Sequence, residues 1–157
     1  MATYGAQNVG AGRYDRLSKG LLTASVMGFV YSAGAFLVAL FGGEALTQLF
    51  VSNGEEELIR LAKQFMVTQV AFYPPLTLVN VVRFMIQGMG FSGLAVIAGL
   101  LEMIARSFAG IFLVPVMGFT GVTLGSPLAW ILADAFLIPA YFHCKKRLMG
   151  KMNPKKI

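Results

Sequence analysis

Four long stretches without a charged residue constrain this chain more than any other feature. They cover residues 20–43, 64–82, 84–101 and 107–133. Each reaches the ~18 apolar residues that indicate a helix crossing a bilayer. Charged residues make up 13% of the chain, against about 25% in soluble domains, and the mean hydropathy is +0.71. The sequence therefore predicts an all-α, polytopic membrane protein.

These stretches and the glycine-rich turns between them predict four membrane-spanning helices, at about 20–41, 58–87, 92–117 and 127–142. The intervening turns are expected at 88–93 and 118–126. The second span would reach ~45 Å, which exceeds the ~30 Å hydrocarbon core. It must protrude, tilt or bend, and Pro74 and Pro75 mark the expected helix hinge.

The basic residues predict the orientation of these spans in the membrane. Ten of them lie on the side shared by the first loop and the C-terminal tail, 143–157, and only Arg60 and Lys63 lie on the other side. Because cytoplasmic loops carry an excess of Lys and Arg, the tail is predicted to be cytoplasmic. The same flanking basic residues explain the net charge of +6. The predicted partner is therefore a lipid bilayer and not a nucleic acid.

The sequence lacks the patterns that carry covalent chemistry. It contains no Ser/His/Asp set, no metal-ligand spacing and no phosphate-binding loop, and His143 is its only histidine. The expectation is a protein that is not an enzyme, with no metal and no cofactor.

Four segments, taken in order, resemble the C-terminal lobe of multidrug and toxic compound extrusion (MATE) transporters. The first, AQNVGAGRYDRLSKG, is similar to a loop that follows a helix end, and GGEALTQLF to the outer end of the next helix. The third, YPPLTLVNVVRFMIQGMGFS, resembles the proline-bearing helix that leads into a Gly-x-Gly turn. The last, LLEMIARSFAGIFLVPVMGFTGV, resembles the helix after it.

The resemblance implies a fold and a function. MATE transporters have twelve helices in two lobes, and this chain resembles the last four helices and the tip of the eighth. Met1 is then not the native start, and the missing N-terminal lobe and preceding helices of the same transporter are expected partners. The implied function is a secondary active antiporter of the plasma membrane. It would export drugs and other small amphipathic or cationic substrates in exchange for H⁺ or Na⁺.

Three ionisable residues are predicted to lie deep in the bilayer, where charge is costly and often functional. Glu102 and Asp134 lie ~16 and ~15 Å from the inner surface, so they share a depth near the midplane. Arg106 follows Glu102 at the i,i+4 spacing that places both on one helix face. The pair is either part of a cation pathway or a structural ion pair, and Asp134 either faces the cavity or pairs with Arg106. The resemblance argues against the cation-pathway interpretation, because in several branches of the MATE family the coupling carboxylates of this lobe lie on the helices equivalent to seven and ten. The seventh is absent here, and span two has no buried Asp or Glu.

The second span carries further polar candidates. Gln69, Tyr73 and Asn80 fall along one helical stripe beside the prolines, which predicts either cavity lining or hydrogen bonding between helices. Arg83, near the inner end, is expected to extend its side chain to the cytoplasmic interface.

Two alternatives remain open from the sequence. A lipid-linked oligosaccharide flippase of the same superfamily would need more basic charge in its cavity, and only Arg106 is predicted to lie deep. A self-sufficient, non-transporting four-helix membrane protein would require that the native reading frame begin at Met1.

Overall fold

The computed structural model describes residues 1–49 and 56–152, which form a helical bundle. Its helices are α1 (Ala2–Gly10), α2 (Tyr14–Gln48), α3 (Glu56–Ala71), α4 (Tyr73–Gly88), α5 (Ser92–Phe108), α6 (Val114–Met117) and α7 (Phe119–Met152). One π-helical turn, Ala109–Leu113, joins α5 to α6. Residues 50–55, between the first two predicted spans, and residues 153–157 of the predicted tail lie outside the described residues.

The helices confirm the predicted polytopic architecture. Three continuous helical runs are long and apolar enough to cross a membrane, with mean hydropathies of 1.9, 1.8 and 1.6. They are α2, the run from α5 to α6, and α7. The fourth span is formed by α3 and α4 together, because neither helix is long enough alone.

The second span is bent where its prolines begin. Helices α3 and α4 meet at an angle of 48°, and Phe72 is the single residue between them. Pro74 and Pro75 occupy the first turn of α4, where a missing backbone N–H costs no helical hydrogen bond. The bend therefore lies at the position that the prolines indicate, and its movement stays a prediction.

The predicted turn at 118–126 is wrong except for its first residue. Gly118 alone reverses the chain, with a φ of +57° that suits glycine, and α7 begins at Phe119. The later glycines serve close packing: a side chain at Gly121 would lie 2.7 Å from the carbonyl oxygen of Leu113. Helix α7 also runs through Pro127 and continues to Met152, well beyond the predicted end at 142.

The core lies between α4, α5 and α7, toward the end of the bundle at which α2 begins. Val79, Val82, Ile86, Ala133 and Leu137 are all almost fully buried there. Successive spans run in opposite directions, so the start of α2 lies beside the end of α7. The core therefore fixes the relative positions of the polar side chains that α4, α5 and α7 carry.

Candidate functional site

A cluster of charged side chains lies between α4, α5 and α7. At its centre is Glu102, whose side chain is 9% exposed. An Nη of Arg83 in α4 donates to one carboxylate oxygen, and Nη2 of Arg106 donates to the other at 3.0 Å. The Arg83 side chain is 23% exposed and that of Arg106 is 46% exposed. Glu102 therefore has a guanidinium on each of its two oxygens.

The position of Arg83 differs from its expected one. Its side chain does not extend to the interface but turns into the bundle toward Glu102. The reason is the tight turn near Gly90, which sets α4 and α5 side by side. Arg83 lies ~10 Å from that turn along its helix and Glu102 lies ~18 Å from it, a difference that an extended arginine spans. An arginine near a midplane carboxylate on the next helix is the signal that would have predicted the pair.

Asp134 completes the cluster from α7. Its residue is 8% exposed, and its buried Oδ1 atom has no hydrogen-bond partner among the described residues. Arg83 is close enough for its charge to act on this carboxylate. The Nε atom of Arg83 is also buried and has no acceptor among the described residues. The cluster thus contains one donor and one acceptor atom that are both unsatisfied.

Two apolar grooves flank α3. The larger has a volume of about 740 Å³ and lies against the start of α7, where Phe65, Phe119 and Trp130 line it. Gln69 lies at its edge and donates to the Thr123 carbonyl oxygen at 2.8 Å. Tyr73 lines both this groove and a second of about 610 Å³ between α2 and α3.

Asn80 does not line the grooves with Gln69 and Tyr73. Its side chain is exposed, and its Nδ2 atom donates to the Leu76 carbonyl oxygen one turn earlier in the same helix at 2.9 Å. The predicted stripe assumes a continuous helix, and the break at Phe72 rotates the residues after it away from those before it. Asn80 lines neither groove.

A hydrogen-bonded junction joins the first and last spans at the end of the bundle where α2 begins. Lys145 Nζ donates to Ser18 Oγ at 2.6 Å, and Ser18 Oγ lies 3.0 Å from the Tyr141 hydroxyl. Ser18 and Tyr141 are not among the predicted site residues, since a Ser and a Tyr 123 residues apart give no local signal in the sequence. Across residues 1–49 and 56–152, no group of three His, Cys, Asp or Glu side chains is arranged to hold a metal.

Comparison with known families decides the identity of the chain. The family model MatE matches residues 1–116. The chain belongs to the MatE family. It is therefore a membrane transporter of the MATE superfamily, as the resemblance implies, and its apolar helices are multi-pass spans in a lipid bilayer. No curated protein and no solved structure matches the chain.

Proposed function

We propose that this MATE chain belongs to a secondary active antiporter that exports amphipathic organic cations in exchange for H⁺ or Na⁺. We assign the exchanged ion to Asp134. One observation carries this assignment: Asp134 is buried with an unsatisfied carboxylate oxygen, whereas both oxygens of Glu102 are occupied by arginines. An unsatisfied acceptor in a buried site is an available ligand for a proton or a sodium ion.

The electrostatics of the cluster favour Asp134 over Glu102 as the carrier. An ion arriving at Glu102 would have to displace two guanidinium groups, and breaking a buried ion pair costs about 3–5 kcal/mol. An ion arriving at Asp134 meets an oxygen that has no described donor. Glu102 then has a structural part, which is to hold Arg83 and Arg106 in place.

Arg83 supplies the return step in this proposal. When Asp134 releases its ion, the carboxylate is left charged in a buried site, where an uncompensated charge is strongly unfavourable. The described counter-charge that acts on it is Arg83, whose Nε donor is also unsatisfied. A hydrogen bond between these two atoms would stabilise the ion-free state, and a new ion would then compete with Arg83 for Asp134.

The grooves beside α3 suit the proposed substrates. Phe65, Phe119 and Trp130 offer aromatic surface to a flat, apolar molecule. Aromatic faces also attract organic cations, and Gln69 and Tyr73 supply polar groups that orient a ligand. The break at Phe72, with Pro74 and Pro75, divides the groove-lining helix from the helix that carries Arg83. Bending there would couple the groove to the charged cluster during alternating access.

The remaining parts of the proposal follow from the charge distribution and the family. The basic end of the bundle faces the cytoplasm, the membrane is the plasma membrane, and the missing N-terminal lobe completes the transport pathway. The chain acts without a cofactor and carries out no covalent reaction. The flippase alternative is less favoured, because both deep arginines are engaged by Glu102 and offer no free positive charge to a lipid phosphate.

Efflux of a fluorescent organic cation from cells tests the proposal. The protein is expressed from its native gene, with Asp134→Asn as the test variant and Asp15→Asn, in the exposed first turn of α2, as the matched control. Asp134→Asn is expected to abolish efflux driven by an ion gradient, whereas Asp15→Asn is expected to retain it. Full gradient-driven efflux by Asp134→Asn, at equal amounts in the membrane, would show that the ion is carried elsewhere.

A further inference from the structure

The basic side chains at the two ends of the bundle differ in their partners. At the outer end Arg60 pairs with Glu57, and Lys63 pairs with Glu44. At the other end, none of the basic side chains that the structure describes forms an ion pair with a described residue, and Asp15 is the only acidic residue there. Six basic residues of this end, named here the basic rim, carry the argument: Arg13, Arg16, Lys19, Lys145, Lys146 and Arg147.

The basic rim is one continuous region and not two distant segments. The contact of Lys145 with Ser18 holds the end of α7 against the start of α2 at 2.6 Å. The Tyr141 hydroxyl reinforces this junction at 3.0 Å. Arg147 extends the region toward the turn between α4 and α5, where its guanidinium lies 5.8 Å from the centre of the Phe91 ring.

The basic rim lies at the height of lipid headgroups. Lys19 directly precedes the uncharged stretch 20–43, and Lys145 follows the exposed Phe142 after three residues. The residues from Arg13 to Lys19 cover ~9 Å of the α2 axis. A headgroup layer is about 5–8 Å thick on each side of the hydrocarbon core. The unpaired charges therefore project into the layer where lipid phosphates lie.

We infer that the basic rim binds the headgroups of anionic phospholipids. Their phosphates supply the counter-charges that no described residue provides to these side chains through an ion pair. Guanidinium groups bind phosphate through paired hydrogen bonds, and basic clusters next to a span favour anionic lipids. Because both the α2 start and the α7 end contribute, a bound lipid would also hold these two spans together.

The chain contains a matched pair of sites for the test. Arg16 and Lys19 lie three residues apart near the start of α2, and Arg60 and Lys63 lie three residues apart near the start of α3. Binding of phosphatidylglycerol and of phosphatidylcholine to the full chain in detergent is measured by native mass spectrometry. Arg16→Gln/Lys19→Gln is expected to weaken phosphatidylglycerol binding about 30-fold, roughly fivefold for each side chain. Arg60→Gln/Lys63→Gln is expected to change it less than threefold.

Four results would overturn the inference. If the wild-type chain binds both lipids equally, it has no selectivity for anionic lipid. If the two double variants lose equal amounts of phosphatidylglycerol binding, the basic rim is not the binding site. Displacement of phosphatidylglycerol by an equal concentration of inorganic phosphate would show a site for free phosphate. Arg16→Lys/Lys19→Arg keeps both charges and is expected to bind like the wild type. If the glutamine variant does not fold, wild-type binding must still weaken as NaCl rises from 0.1 to 0.5 M, and salt-independent binding contradicts the inference.

Discussion

Replacing Glu102 by Gln is expected to destabilise the bundle strongly, and the structure sets the size of the effect. The variant removes the counter-charge of two arginines. Arg83, with a side chain 23% exposed, loses its ion pair with Glu102, and breaking a largely buried pair costs about 3–5 kcal/mol. Arg106, 46% exposed, is solvated enough that its pair contributes about 1 kcal/mol or less. Because the amide oxygen of the introduced Gln still accepts one hydrogen bond, we expect the free energy of unfolding to fall by about 3 kcal/mol.

Thermal unfolding of the purified chain in detergent measures this loss. At about 2–4 °C per kcal/mol for a chain of this size, Glu102→Gln should lower Tm by about 6–12 °C. Arg106→Gln is the control and should lower it by about 2 °C. The triple variant Arg83→Gln/Glu102→Gln/Asp134→Asn should regain most of the stability, because it leaves no buried charge unpaired. This explanation is contradicted if Arg106→Gln destabilises as much as Glu102→Gln, or if the triple variant is less stable than Glu102→Gln.

Two further predictions concern the backbone. An added Cβ at Gly88 would lie 2.1 Å from the carbonyl oxygen of Ala2, so Gly88→Ala should displace α1 and cost about 1–3 kcal/mol. Gly99→Ala, inside α5 with open space around it, should instead stabilise the chain by about 0.5–1 kcal/mol in the same unfolding assay. Replacing Pro74 and Pro75 together by Ala should straighten the 48° bend. The distance between spin labels at positions 58 and 84, measured by pulsed electron spin resonance, should then increase by about 3 Å. An unchanged distance would show that other contacts impose the bend.

The number of spans could be predicted from the sequence because it follows from local patterns. Uncharged stretches and glycine or proline signals act within a few residues of the chain, and they placed the bend near Pro74. The same signals misplaced the start of the last span, because Gly121 and Gly125 look like turn residues. The small size of Gly121 instead lets α7 approach the preceding helix closely, and only the packed bundle distinguishes these two uses of glycine.

Three of the four members of the candidate site were predictable, but Arg83 and its pairing were not. Depth along each helix placed Glu102 and Asp134 near one level, and the i,i+4 spacing gave the contact between Glu102 and Arg106. Which cation reaches Glu102 from a neighbouring helix depends on helix rotation and on the direction of a long side chain, which the sequence leaves open. Arg83 was therefore assigned to the interface, although it belongs to the cluster.

The most direct test of the proposed exchange is the release of an ion when substrate binds. The purified transporter, weakly buffered, is mixed with an organic cation while a pH dye and a sodium electrode follow the solution. The wild type is expected to release about one H⁺ or Na⁺ for each substrate bound, whereas Asp134→Asn is expected to bind substrate and release neither ion. Equal release by Asp134→Asn and the wild type would contradict the assignment of the exchanged ion to Asp134.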